Sequence, residues 1–200
     1  MLKVGLTGGL ATGKSYVSAR LEKLGCHVIQ ADRLGHDVLR RGGEAFEDVL
    51  AEFGAGILGD DGEIDRKVLG AIVFPAPEKL AKLNALVHPH VFQRQQEFFQ
   101  QVLRADPDGI AVVEAAIMIE SGSHTGYDRL ILVVCPEDVQ IRRFVERGGT
   151  EAEARDRLAR QLPLDEKRKF ADFVIDTSGT FEETEKQVRD VYEHLKQGMG

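Results

Sequence analysis

Leu2-Lys3-Val4-Gly5-Leu6-Thr7-Gly8-Gly9-Leu10-Ala11-Thr12-Gly13-Lys14-Ser15 passes from a short apolar run into a glycine-rich turn that ends in Lys-Ser. Gly8 to Ser15 matches G-x-x-x-x-G-K-[ST], in which each fixed position has a mechanical duty. Glycines let the chain turn so that successive amides point inward at phosphate oxygens, and a following helix adds its positive N-terminal end. Lys14 can reach the outer phosphates, and the Ser15 hydroxyl can ligate a magnesium ion that bridges them. After the turn, Val17, Leu21 and Leu24 recur at helical spacing, so the segment reads strand, loop, helix. A plain connecting turn has no need of Lys14 and Ser15 together.

Gly25 closes that helix where a left-handed residue is wanted, and His27-Val28-Ile29 begins a second strand ending near Asp32. Ile110 to Val113, Leu130 to Val134 and Phe173-Val174-Ile175 are further runs suited to buried parallel strands. Helical patterns separate them. The expected fold is therefore α/β, a P-loop NTPase-type, mostly parallel five-stranded sheet flanked by helices. About seventy residues between the second and third strands read as helices punctuated by Gly54, Asp60-Asp61-Gly62, Pro75 and Pro77, a helical substrate-binding insertion. Glu137 to Lys169 reads as two short, arginine-bearing helices broken at Gly148-Gly149. One domain over 1–200 results, with a core at about 1–33, 108–136 and 171–200, a helical insertion at about 34–107 and a second insertion at about 137–170.

The chain has 200 residues, 42% of them hydrophobic and 30% charged, with a formal net charge of -7. That charge argues against a nucleic-acid partner held on a broad basic surface, while leaving room for a few cations that meet a small anion. Cys26 and Cys135 each adjoin apolar runs and read as buried small hydrophobes, compatible with a reducing cytoplasm. The sequence shows neither a secretory leader pattern nor an apolar stretch of membrane-spanning length, so a soluble, cytoplasmic protein is expected.

In open α/β sheets ligands sit at the carboxyl ends of the strands, which puts Asp32 where a carboxylate could accept the proton of an acceptor hydroxyl. Asp32 could equally cap a helix beginning at Arg33. His36, four residues on, shares its helical face and reads alone as a surface or packing residue. Glu114, ending the third strand, could hold magnesium through water or cap the segment that follows.

Taken in order, these residues resemble the dephospho-CoA kinase family over nearly the whole chain. The resemblance is carried by Gly5-Leu6-Thr7-Gly8-Gly9 running into Gly13-Lys14-Ser15 and by Ala31-Asp32 with His36. Phe53-Gly54, Asp61-Gly62, Asp65-Arg66, Leu69-Gly70, Val73-Phe74 and His88-Pro89 follow. Arg157, Gln161-Leu162-Pro163, Lys167, Ala171-Asp172, Ile175-Asp176 and Ser178-Gly179 close the series. The resemblance implies ATP-dependent phosphorylation of the ribose 3'-hydroxyl of dephospho-CoA, completing coenzyme A, with ATP and dephospho-CoA as partners and Mg2+ as cofactor. It implies Lys14, Asp32 and Arg147 as catalytic residues, with Asp32 as base or orienter. ATP would be held by Gly8, Gly9, Leu10, Ala11, Thr12, Gly13, Lys14, Ser15, Tyr16, Arg143, Arg147 and Arg157. Dephospho-CoA would meet Asp32, His36, Arg66 and His88, and the metal Ser15 and Glu114.

His88-Pro89 also reads as a helix start, with proline in the first turn and histidine packing the junction. Arg66 reads as a CoA phosphate contact or as a pairing residue within the insertion. Three positions depart from the family pattern: Tyr16 where threonine is common, Glu114 where many members carry aspartate followed by proline, and Thr177 where asparagine is frequent. The other readings of the chain are a different small-molecule kinase of the same fold, or a non-catalytic nucleotide switch. The latter usually carries Asn-Lys-x-Asp, whereas the one asparagine here, Asn84, is followed by alanine.

Overall fold

A computed structural model describes residues 1–198. Five strands, β1 (Leu2–Gly8), β2 (His27–Gln30), β3 (Ile110–Glu114), β4 (Arg129–Val134) and β5 (Phe173–Asp176), form one sheet in the order β2-β3-β1-β4-β5. Every pairing is parallel. The register aligns Leu6 with Glu114, Gln30 with Glu114 and Gly8 with Val133. The carboxyl ends of β2, β3, β1 and β4 thus meet along one edge. The chain order reverses around β1, the switch point where such sheets form their ligand crevice.

Alternation along the strands sorts the core. Val4, Leu6, Ile110, Val112, Ile131 and Val133 pack with Val17 and Leu21 of α1 (Lys14–Lys23) and with Val188, Val191 and Leu195 of α9 (Phe181–Gln197). On β1 the opposite face is closed at Gly5, where an added Cβ would lie 2.5 Å from Met118 Sδ. The end of α1 explains its sharp exit. Gly25 has φ +101°, the Cys26 N–H donates to the Leu21 carbonyl and the Gly25 N–H to the Glu22 carbonyl, the paired bonds of a Schellman cap.

Contacts divide the chain into two compact units, residues 1–30 with 99 onward, and residues 31–98. The smaller unit contains α2 (Ala31–Val38), α3 (Phe46–Phe53), α4 (Arg66–Val73) and most of α5 (Pro77–Ala105) around Val38, Phe46, Val49, Ile57, Leu69 and Val73. The Asp65 side chain caps α4, accepting from the Lys67 and Val68 amides. Two sequence expectations change here. Asp32 lies inside the first turn of α2, which begins at Ala31, so it does not cap a helix starting at Arg33. His88-Pro89 does not begin a helix: Pro89 sits within the 29 residues of α5. Proline removes one interior amide donor there, and the helix continues through its apolar contacts on both sides of that turn.

The larger unit also holds α6 (Glu137–Glu146), α7 (Glu151–Leu158) and α8 (Leu164–Arg168). There are three helices where two were expected, because Leu162-Pro163 stops one segment and starts another. α6 gives way at Gly148-Gly149, and the Thr150 and Glu153 capping box begins α7.

Candidate functional site

The turn between β1 and α1 carries backbone of two uncommon kinds, Ala11 at φ 50° and Gly13 at φ 88°. No side chain caps α1, so its first-turn amides are presented at the loop, the arrangement that receives an anion. Thr12 Oγ1 donates to the Gly9 carbonyl at 3.1 Å, and the Lys14 ammonium lies back over the loop, donating to the Gly9 carbonyl at 2.8 Å and the Gly8 carbonyl at 3.3 Å. Thr177, at the end of β5, donates its hydroxyl to the Thr12 carbonyl at 2.7 Å.

Glu114 is brought to this loop by the β1–β3 register. Its carboxylate, in a residue only 7% exposed, accepts from Ser15 Oγ at 2.9 Å, Ser18 Oγ at 2.8 Å and Gln30 Nε2 at 3.3 Å. Three neutral donors around a buried carboxylate hold its position without neutralising it. The Ser15 hydroxyl and the Glu114 carboxylate are the hard oxygen donors a magnesium ion selects. These two were paired by their roles in the sequence, and they are adjacent in space.

The arginines divide. Arg143 is half-buried and donates to the Thr177 carbonyl at 2.6 Å and its hydroxyl at 3.0 Å, so it acts on the loop through Thr177. Arg147 is the exposed residue ending α6, and Arg157 is exposed with its guanidinium 5.1 Å from the Phe144 ring. A cleft of 660 Å³ borders the loop at Gly9, and its lining includes Gln140, Gln161, Arg155 and Arg168. Sequence reasoning did not single out these last four as site residues.

Behind this cleft lies a second group that escaped notice. Lys167 is fully buried, its ammonium 2.7 Å from Glu120 Oε1 and 3.2 Å from the Ala116 carbonyl, which also accepts from Thr7 Oγ1 at 3.3 Å. Lys167 stood in the sequence as one element of an ordered series. Its partner Glu120 carried no local signal, since the pair spans 47 positions of chain.

Tyr16 turns its ring away from the loop onto Phe181, with centroids 4.9 Å apart, while its hydroxyl donates to Glu185 at 2.9 Å and Arg20 lies over its face at 4.6 Å. The large ring is thereby absorbed between α1 and α9. Ser15 keeps its bond to Glu114.

In the smaller unit Asp32, His36, Arg66 and His88 are all exposed. Burial pulls the His36 imidazole below its usual range, and Arg66 pulls in the same direction while Asp32 and Asp37 oppose. Arg66 is the first residue of α4 and His88 lies mid-way along α5.

A profile described as dephospho-CoA kinase matches residues 2–183. The Geobacillus kaustophilus dephospho-CoA kinase is 46% identical over 188 residues, covering 94% of this chain and 93% of the relative. The chain belongs to the dephospho-CoA kinase family. The Aquifex aeolicus dephospho-CoA kinase is 40% identical over 195 residues, 98% of each chain. Among solved structures, that of the Campylobacter jejuni dephospho-CoA kinase is similar at TM-score 0.70 with 26% identity and 98% coverage of both chains. A Thermus thermophilus protein is similar at TM-score 0.83 with 30% identity and 97% coverage of both. Shikimate kinase from Acinetobacter baumannii, at TM-score 0.53 and 14% identity, shares the fold. Glu114 and Thr177 are each anchored: Glu114 by three donors, Thr177 by Arg143 and the Thr12 carbonyl.

Proposed function

We infer that the protein transfers the γ-phosphoryl group of ATP to the ribose 3'-hydroxyl of dephospho-CoA, yielding coenzyme A and ADP in the last step of coenzyme A biosynthesis. The observation that carries the reading is the uncapped start of α1 behind Gly8 to Ser15, joined through Ser15 to the buried Glu114, in a chain that matches this family nearly end to end.

Phosphoryl transfer of this kind asks the protein for position and charge rather than covalent chemistry. The loop amides from Gly8 to Tyr16 and the α1 N-terminus receive the phosphates. Lys14 turns from the Gly8 and Gly9 carbonyls to the outer phosphates, whose charged oxygens are stronger acceptors than a carbonyl. Ser15 and Glu114 would hold Mg2+, which would neutralise phosphate charge. Asp32 serves as base and orienter of the acceptor hydroxyl, and His36, Arg66 and His88 face the remainder of dephospho-CoA. Arg143 sets Thr177 against the loop, while Arg147 and Arg157 meet the phosphates from a lid at 137–170 that closes over ATP and excludes water.

The enzyme acts in the cytoplasm without a nucleic-acid or membrane partner. The net charge of -7 supports this, as do the free, buried Cys26 and Cys135. No helix among the described residues is long and apolar enough to cross a membrane.

A coupled assay of ADP release tests the reading, with dephospho-CoA, earlier coenzyme A precursors and nucleosides offered as acceptors. Turnover confined to dephospho-CoA is expected. Preferred turnover of a nucleoside would assign the chain to another kinase activity, and no turnover with any acceptor would leave a nucleotide-binding protein.

A further inference from the structure

The Leu10 amide of the phosphate loop already has a side-chain partner from outside the loop. The Leu10 N–H donates to Gln161 Oε1 at 3.1 Å. A backbone N–H can only donate, so this bond fixes the carboxamide with its oxygen toward the loop and its NH2 turned away. The backbone carrying Gln161 is anchored directly afterwards: the Leu162 N–H donates to Glu120 Oε1 at 3.1 Å, and Glu120 is held by the buried Lys167, itself bonded to the Ala116 carbonyl. Gln161 also lines the cleft that borders Gly9.

Leu10 occupies one of the variable positions inside the loop, whose amides are the phosphate donors of this motif. A triphosphate that takes the Leu10 N–H must displace the Gln161 oxygen. Since Glu120 and Lys167 fix the neighbouring backbone, the displaced side chain stays within reach of the loop. A carboxamide then has an option that a charged side chain lacks: rotation by about half a turn replaces an acceptor by two donors with no change of charge. Glutamate could only accept, and arginine could only donate.

We propose that Gln161 is a reversing phosphate contact for the kinase reaction, accepting from Leu10 while the loop is empty and donating through Nε2 to the triphosphate once the loop is filled. The second amide of the cleft cannot do this. Gln140 is buried, with Nε2 committed to the Cys135 carbonyl and Oε1 set against Gly9, where an added Cβ would lie 2.6 Å from it. The exchange at Gln161 trades one hydrogen bond for another, so the empty loop is kept in shape by a partner that becomes a ligand contact. The identity of the anion rests on the ATP-dependent reading above.

The test uses the full chain and its Gln161→Glu and Gln161→Met variants, titrated with magnesium and either the β,γ-imido analogue of ATP or inorganic tripolyphosphate. The Leu10 amide resonance is followed in the same samples. Gln161→Glu keeps the acceptor and loses the donor, so its affinity for both probes should fall at least about tenfold, the scale of a lost bond to a charged group with added repulsion. Gln161→Met removes the competitor and the donor together, so its affinity should stay within about threefold of the parent, because the two losses oppose each other. In the parent the Leu10 resonance should move on adding either probe, and in empty Gln161→Met its amide should exchange with solvent faster. Equal affinities of Gln161→Glu and parent, equal losses in both variants, or an unmoved Leu10 resonance would overturn the proposal. A parent chain that binds neither probe would overturn the reading of the loop itself, a distinguishable failure.

Discussion

The two compact units handle polar residues in opposite ways. In the larger one, Thr12, Glu114, Lys167 and Thr177 are buried and bonded to one another's neighbourhoods at the strand ends. In the smaller one, Asp32, His36, Arg66 and His88 all stand exposed, and the ion pair of Arg94 with Glu44, although two-pronged at 2.9 and 2.7 Å, lies on its surface. A buried polar group without a partner costs free energy, so the donor side must be assembled before any ligand arrives. An exposed side chain bears little of that desolvation cost. On the proposed reading, the phosphate-binding side is built into the fold of the larger unit, while the proposed acceptor contacts of the smaller unit are exposed side chains.

The sharpest way to break this comparison is Asp32→Asn. If Asp32 takes or orients the hydroxyl proton, kcat should fall by about 10²–10⁴, with ATP affinity and thermal stability unchanged, as read by single-turnover kinetics and calorimetry. Full turnover would remove Asp32 from the chemistry. The next effect is on stability. Lys167→Ala removes the buried cation from the half-buried Glu120 and should cost about 3 kcal/mol, whereas Arg94→Ala in the smaller unit should cost at most about 1 kcal/mol. Denaturant midpoints of the two variants measure both, and equal losses would erase the distinction between the units.

Much of the larger unit was legible because its signals are local. Gly8 to Ser15, the five apolar runs and Gly25 each announce themselves within a few residues, whereas the strand order is read only from the structure. Ser15 was paired with Glu114 through a shared metal role, but the donors Ser18 and Gln30 were not legible: they lie 96 and 84 positions away, and only the sheet register brings them to the carboxylate. The same holds for Lys167 with Glu120 and for Gln161 with Leu10. Pro89 was misread for a related reason, since proline is a strong local start signal and the packing that carries α5 past it is not written near it.

Glu114→Gln sharpens the donor half of the comparison. The amide keeps a similar shape and loses the charge, so the magnesium concentration for half-maximal rate should rise by about 10–100-fold, with dephospho-CoA affinity unchanged. A magnesium titration at saturating ATP reads this. The smallest expected effect belongs to His36. Its imidazole is held below its ordinary value of 6.5, so the unfolded chain binds the proton more readily and stability falls as pH drops through and below that value. His36→Gln should flatten this part of the stability profile, as measured by thermal midpoints across mildly acidic buffers. An unchanged profile would mean that burial does not penalise the charged ring.

Tyr16 has an optical consequence. The chain has no tryptophan and three tyrosines, so its ultraviolet emission comes from very few rings. One of them directly follows Ser15, hydrogen-bonded to Glu185, covered by Arg20 and packed on Phe181. On the proposed reading, filling the phosphate loop would change the field felt by that ring, and the unmodified protein would carry its own dye one residue from Ser15.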